Sequence, residues 1–461
     1  MSSLGVQLGR MGEQYSGIHW VNVFDEALDI SPNDVLEEKR QSDDTFRVYL
    51  KNFKSPYAPS REPGRTLEPQ ECSKTSDYQN MPTLVALHGG GYSGLTWAPF
   101  ARCMEDECKC RILSVDLRGH GDTRTSDEDQ MDINTLVDDV IRVIHATHRV
   151  CGFTETPRIV LIGHSMGGAI AVKVSARCAE LLPSLVGFVI IDVVEGTAKD
   201  ALPLMLSVIQ TRPTKFTSLE EAIRWSWRSG MTKNRDSARM SMPGNLVNIE
   251  SGHLAIHDME TPKGKEHLMT CIRRNKFDIS PDRWMSARRT SMPPPVIPYP
   301  RVTALSSSEL SKSTRELRTP TMGEGFDEAA EEIPPKKMRE PDTSRIDESG
   351  SVDRQESYAP EAGKKGYCWR TDLAKTQPYW NDWFDGLSQQ LLSAPVQGKF
   401  LLLAGIDRLD KTLTIGQMQG KFEMQVLNRC GHAVHEEAPN KVASVVAKFL
   451  CRNKFVSPSP D

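Results

Sequence analysis

The sequence predicts an α/β fold in which a mostly parallel sheet is covered by helices on both faces. Four short apolar runs point to it: Thr83–Leu87, Arg111–Val115, Arg158–Ile162 and Val186–Ile191. None alternates polar with apolar residues, the pattern of strands buried on both faces. Helical periodicity lies between them, with Ile133, Leu136, Val137, Val140, Ile141 and Ile144 on one apolar face. Strands alternating with helices imply βαβ units with right-handed crossovers. The length of 461 residues exceeds the roughly 250–300 that one core accommodates, so either two domains or one domain carrying long insertions is expected.

Taken in order, residues 1–43 read as an N-terminal segment, partly disordered. The first part of the core spans 44–200, opening with a strand at Asp44–Leu50 whose Thr, Phe, Val and Tyr favour extended backbone. The Pro-, Ser- and Glu-rich stretch Ser55–Asn80 is a loop, and a helix is expected over Ala169–Ala179. Residues 201–247 form a helical cap segment in which Leu219, Ala222, Ile223 and Trp225 share a stripe. Residues 248–366 are of low complexity, and their Pro, Ser and charge content cannot offset the entropy of ordering, so a disordered insertion is expected. The cap resumes over 367–398 with Trp369, Tyr379, Trp380, Trp383 and Phe384. The second part of the core, 399–455, adds strands at Lys399–Ala404 and Phe422–Leu427. It ends in a helix over Pro439–Cys451, where Val442, Val445, Val446 and Phe449 line one face and Pro439 suits the first turn.

Lys and Arg number 57 against 61 Asp and Glu, a net charge of −4, which argues against a nucleic-acid or anionic-membrane binder. No C-x-x-C pair occurs among the 10 cysteines, and Cys108-Lys109-Cys110 is too tight for a zinc knuckle. The N-terminus lacks an apolar signal core, and no window approaches 18 apolar residues. A soluble protein of a reducing compartment is expected, in the cytoplasm with the nucleus as a second location. Lys336-Lys337-Met338-Arg339 reads as a solvated charge run rather than a fragment of a nuclear signal.

Gly163-His164-Ser165-Met166-Gly167 is G-x-S-x-G, set between an expected strand and an expected helix. That context makes Ser165 a candidate nucleophile raised on a tight turn. Acyl transfer also needs oxyanion donors. The Met166 amide is one candidate, and the loop His88-Gly89-Gly90-Gly91 offers the other, Gly90 ahead of Gly91. A general base is expected in the loop before the last helix, where His432 follows a glycine directly after a strand and His435 suits packing or capping. Two placements fit the acid: Asp192 after the fourth buried strand, or Asp407 and Asp410 after the strand Lys399–Ala404. The residues alone do not separate them.

Longer motifs do. GHSMGGAIAV, IDVVEGTA, AGIDRLDKTLTIGQMQGKF and CGHAVHEEAPNKVA resemble the protein phosphatase methylesterase family. So do LHGGGYSGLTW, VDLRGHGDT and RPTKFTSLEEAIRWSWRSG followed by SARMSMPG. The resemblance runs from about Phe24 to Phe455, apart from Ser55–Asn80 and the low-complexity insertion, which is longer here and of different composition. It implies an α/β-hydrolase fold and removal of the methyl ester from the C-terminal leucine of the type 2A protein phosphatase catalytic subunit. Carried over, Ser165 is the nucleophile, Asp192 the acid and His432 the base, acting through an acyl-enzyme with no metal or cofactor. The phosphatase catalytic subunit is then the partner, with neither nucleic acid nor membrane involved. Trp225, Trp227, Trp369, Trp380 and Trp383 could line a groove for it, although each fits a cap core better. The alternatives are a small-molecule esterase or lipase on the same fold, and a phosphatase-binding inhibitor in which hydrolysis is secondary.

Overall fold

The computed structural model describes residues 15–31, 44–53, 81–153, 156–259 and 365–456. Its strands in chain order are β1 (Glu26–Ile30), β2 (Phe46–Lys51), β3 (Thr83–Leu87), β4 (Arg111–Val115), β5 (Ile159–His164) and β6 (Leu185–Ile191). Then come β7 (Lys215–Phe216), β8 (Leu246–Asn248), β9 (Tyr367–Trp369), β10 (Gly398–Leu403) and β11 (Glu423–Val426). Eight of them form one sheet in the order β1-β2-β4-β3-β5-β6-β10-β11. The first two pairings, β1 with β2 and β2 with β4, are antiparallel, and the rest are parallel. Strands β3, β4 and β5 are buried along their whole length. Each of their Val, Leu and Ile side chains contributes about 1.5–3 kcal/mol by leaving water.

Helices cover both faces. Over Ile133–Val150 the expected apolar stripe is the buried one, and Asp132 caps the helix by accepting from the Asn134 and Thr135 amides, both at 3.1 Å. The closing helix Pro439–Arg452 buries Val442, Val446 and Phe449, with Pro439 in its first turn and Val445 half-buried. It packs against the helix Ala98–Glu107.

The cap is not helical throughout. Strands β7, β9 and β8 form a small antiparallel sheet, with β9 in the middle. Phe216, Trp225 and Trp369 stack beside it with ring centroids 5.5–5.8 Å apart. Trp380 and Trp383 are buried, their indole N–H groups donating to the Thr376 hydroxyl (2.8 Å) and the Met131 carbonyl (2.7 Å). Trp380 and Trp383 are thus part of the cap's packing, whereas Trp225, Trp227 and Trp369 are only half-buried. The order of the cap also runs past the boundary drawn from composition. Residues 249–259 make a turn and the short helix Ala255–Asp258, and the Ile249 amide donates to the Gly366 carbonyl at 2.9 Å. The rest of the expected insertion, 260–364, lies outside the described residues, as does most of the N-terminal segment.

Candidate active site

The site lies at the carboxyl edge of the parallel strands. Backbone pairing continues past the strand ends there: the Ser165 amide donates to the Ile191 carbonyl (3.1 Å) and the Asp192 amide to the Leu402 carbonyl (2.8 Å). Ser165 follows β5 directly, and the helix Met166–Ala176 starts at the next residue. Its backbone is at φ 53° and ψ −120°, a region that costs a non-glycine residue on the order of 1–3 kcal/mol. Two glycines allow the turn. A Cβ on Gly163 would meet the Gly167 backbone, and one on Gly167 would fall on the Leu87 and His88 carbonyls. Ser165 is thereby left partly exposed above the sheet edge.

Asp192 directly follows β6, also at positive φ (55°), with a fully buried carboxylate. Its Oδ1 accepts from the Ala404 amide at 2.9 Å, and its Oδ2 accepts from His432 Nδ1 at 2.8 Å. The Arg408 guanidinium pairs with the same Oδ2. A carboxylate facing Nδ1 holds the proton on that nitrogen, so Nε2 carries the lone pair that can accept a proton. His164 ties the two loops together: its Nε2–H donates to the His432 carbonyl at 3.0 Å, and the two rings lie 4.6 Å apart.

The other candidates are committed elsewhere. His435 is fully buried, its ring 4.5 Å from that of Trp97. The Thr96 hydroxyl donates to Glu436 Oε1 at 2.6 Å, so its contact with His435 Nε2 at 2.8 Å has the imidazole as donor. Burial, then the nearby His432, pushes His435 down to about 3. Burial pushes Glu436 up to about 7 and Asp116, which accepts from the Gly94 and Asp122 amides, likewise to about 7. Asp407 is exposed and folds back over Gly405. Asp410 caps the helix Lys411–Met418 by accepting from the Leu413 amide at 2.8 Å, and takes the Ser388 hydroxyl.

For the oxyanion, Met166 offers the first amide of its helix, whereas the Gly91 amide is occupied by His120 Nε2 at 2.9 Å. Gly90 is half-buried beneath Leu373, and no hydrogen bond to its amide is found among the described residues. Arg408 lies in the quoted segment AGIDRLD but carries no signal there, because its partner Asp192 is distant in the chain. The sequence likewise left His120 of VDLRGHGDT without a role. Among the described residues, no group of three or more His, Cys, Asp or Glu could hold a metal, and no helix is long and apolar enough to cross a membrane.

A sheet of this order carrying a strained serine between strand and helix defines an α/β-hydrolase. A family model described as the alpha/beta hydrolase family matches residues 84–305. Among solved structures, E-2-(acetamidomethylene)succinate hydrolase aligns over 92% of this chain and 98% of its own, with a TM-score of 0.50 and 12% identity, a likeness of fold alone. Protein phosphatase methylesterase 1 of Mus musculus is 37% identical over 453 residues, covering 97% of this chain and 89% of the relative. The Homo sapiens protein of that name is 36% identical over the same shares. A probable protein phosphatase methylesterase 1 of Caenorhabditis elegans is 30% identical over 82% of this chain and 71% of its own. The chain belongs to the protein phosphatase methylesterase family and is an esterase.

Proposed function

We propose that the protein removes the methyl ester from the C-terminal leucine of the type 2A protein phosphatase catalytic subunit, with Ser165, Asp192 and His432 as its triad. The observation that carries the chemistry is the 2.8 Å pair of Asp192 and His432, whose loop is tied through His164 to a serine held at positive φ. The 97% coverage by methylesterase relatives supports the substrate.

In this reading His432 Nε2 takes the Ser165 proton as the hydroxyl oxygen attacks the ester carbonyl. Charge on the tetrahedral oxygen is met by the Met166 and Gly90 amides, already oriented and partly shielded from water. Asp192 stabilises the imidazolium so formed, without taking its proton. His432 then protonates methoxide as methanol leaves, takes a proton from the water that attacks the acyl-enzyme, and returns it to Ser165 Oγ as the Oγ–acyl bond breaks and the leucine carboxylate departs. His432 handles each proton transfer among serine, methoxide and water, so the proposed route needs no metal or organic cofactor. The cap segments 201–247 and 367–398 would receive the phosphatase tail, in the cytoplasm or the nucleus. Labelling with a fluorophosphonate followed by peptide mapping tests the nucleophile: modification of Ser165 alone is expected, and modification elsewhere refutes the assignment.

A further inference from the structure

The sequence motif VDLRGHGDT contributes nothing to the triad, yet its histidine is fully buried against the oxyanion loop. We infer that His88 and His120 are positioning residues that pin the two peptide planes flanking Gly90, and so aim the Gly90 amide at the ester carbonyl. The inference rests on the reading of Ser165 as nucleophile and Gly90 as oxyanion donor.

His88 Nε2 faces the Leu117 amide at 3.0 Å and must accept there, so its Nδ1 carries the proton and donates to the Gly89 carbonyl at 2.8 Å. The Tyr92 amide donates to the same carbonyl at 3.2 Å. In a trans peptide the N–H points opposite the C=O. Holding the Gly89 oxygen inward therefore turns the Gly90 N–H outward. On the other side, His120 Nε2 accepts the Gly91 amide at 2.9 Å, and its Nδ1–H donates to the Arg118 carbonyl at 2.8 Å. A glycine has no Cβ to restrict its torsions, so a Gly-Gly-Gly run owes its orientation to such outside contacts. The two rings lie 4.9 Å apart. Burial pushes both imidazoles down, His120 to about 4, so both keep the lone pairs that accept these amides.

The cap holds this support in place. Directly after β9, Arg370 Nε donates to the Gly121 carbonyl (3.0 Å) and the Thr371 hydroxyl to the Gly119 carbonyl (2.8 Å). The loop carrying His120 is thus clamped between the core and the strand on which the chain returns to the cap.

The test compares His120→Leu, which removes the acceptor, with His120→Gln, whose amide oxygen can still take the Gly91 N–H. The full-length enzyme is assayed on p-nitrophenyl acetate, and phenylboronic acid serves as the tetrahedral probe. His120→Leu should lower kcat about 30-fold with KM within about twofold, short of the roughly 10²–10³ for deleting a whole donor. Phenylboronic acid affinity should fall in parallel, and His120→Gln should recover most of both. A folded His120→Leu protein with unchanged kcat, a loss confined to KM, or a Gln variant as impaired as the Leu variant would overturn the inference. If His120→Leu does not fold, Thr371→Val decides: a loss in kcat at constant KM supports it, and an unchanged kcat overturns it. Fluorophosphonate labelling of wild-type Ser165 keeps the two levels apart. Labelling there with unaffected variants removes only the inference, whereas labelling elsewhere removes the reading beneath it.

Discussion

Replacing Asp192 by Asn keeps the size of the side chain and removes its charge, which isolates what the carboxylate does. In the native site Oδ1 accepts the Ala404 amide while Oδ2 accepts both His432 Nδ1 and Arg408. An asparagine satisfies only half of this. With its oxygen on Ala404, its NH2 faces Arg408 and His432, so the imidazole must turn Nδ1 into an acceptor and put its proton on Nε2. That nitrogen then cannot take the Ser165 proton. With the amide flipped, two N–H groups oppose one another at Ala404. Loss of the correct tautomer should lower kcat by about 10⁴. Breaking a buried pair costs about 3–5 kcal/mol, but Arg408 is 26% exposed and water can recover part of its charge, so a loss of about 2 kcal/mol of stability is expected. Steady-state hydrolysis of p-nitrophenyl acetate and a urea titration measure the two quantities separately. Asp407→Asn serves as the comparison, since that side chain is exposed over Gly405. Its kcat should stay within about threefold of wild type on the ordinary scale of surface changes. A larger loss from Asp407→Asn than from Asp192→Asn would refute the assignment of the acid.

Three further outcomes are expected. Gly167→Ala should fail to give soluble protein, because its Cβ would overlap the backbone carbonyls of Leu87 and His88; expression with wild-type activity would contradict the packing described. Glu436 should make stability fall with rising pH: burial raises it from an ordinary 4.5 to about 7, so the folded state holds its proton more tightly. That contribution is complete below about 4.5 and is lost as pH rises through about 7, so Glu436→Gln should flatten the unfolding free energy from urea titrations over this window, by up to about 3 kcal/mol. His432→Ala should abolish fluorophosphonate labelling, whereas His435→Asn should mainly lower the thermal midpoint by disturbing Thr96 and Glu436. A labelling rate more sensitive to His435 than to His432 would exchange their roles.

The central sheet was legible because its strands are buried on both faces, a condition that leaves a mark in composition; β3 and β5 are apolar along most of their length. Strand β1 left no such mark, since only Ile30 of Glu26–Ile30 is fully buried at this sheet edge. Strands β7 to β9 were missed because two- and three-residue strands have no period to detect, and Phe216 finds Tyr367 only through tertiary pairing. The strained serine was readable because the glycines on either side are a local requirement. Spacing alone left the acid open, since a carboxylate at the end of a buried strand fits both β6 and β10; the longer motifs favoured Asp192, and that is the carboxylate His432 Nδ1 meets in space. Arg408 and the two loop histidines stayed silent for the same reason: their significance lies in what they face, which spacing along the chain does not record.

The most direct measurement of the central claim is methanol release from carboxymethylated type 2A phosphatase catalytic subunit, incubated with the wild-type chain and with Ser165→Ala. The account predicts stoichiometric methanol from the wild type and a fall in rate on the order of 10⁶ in the folded variant. Methanol release that persists with Ser165→Ala would contradict the assigned nucleophile. A wild type that cleaves p-nitrophenyl acetate but leaves the methylated subunit intact would contradict the assigned substrate.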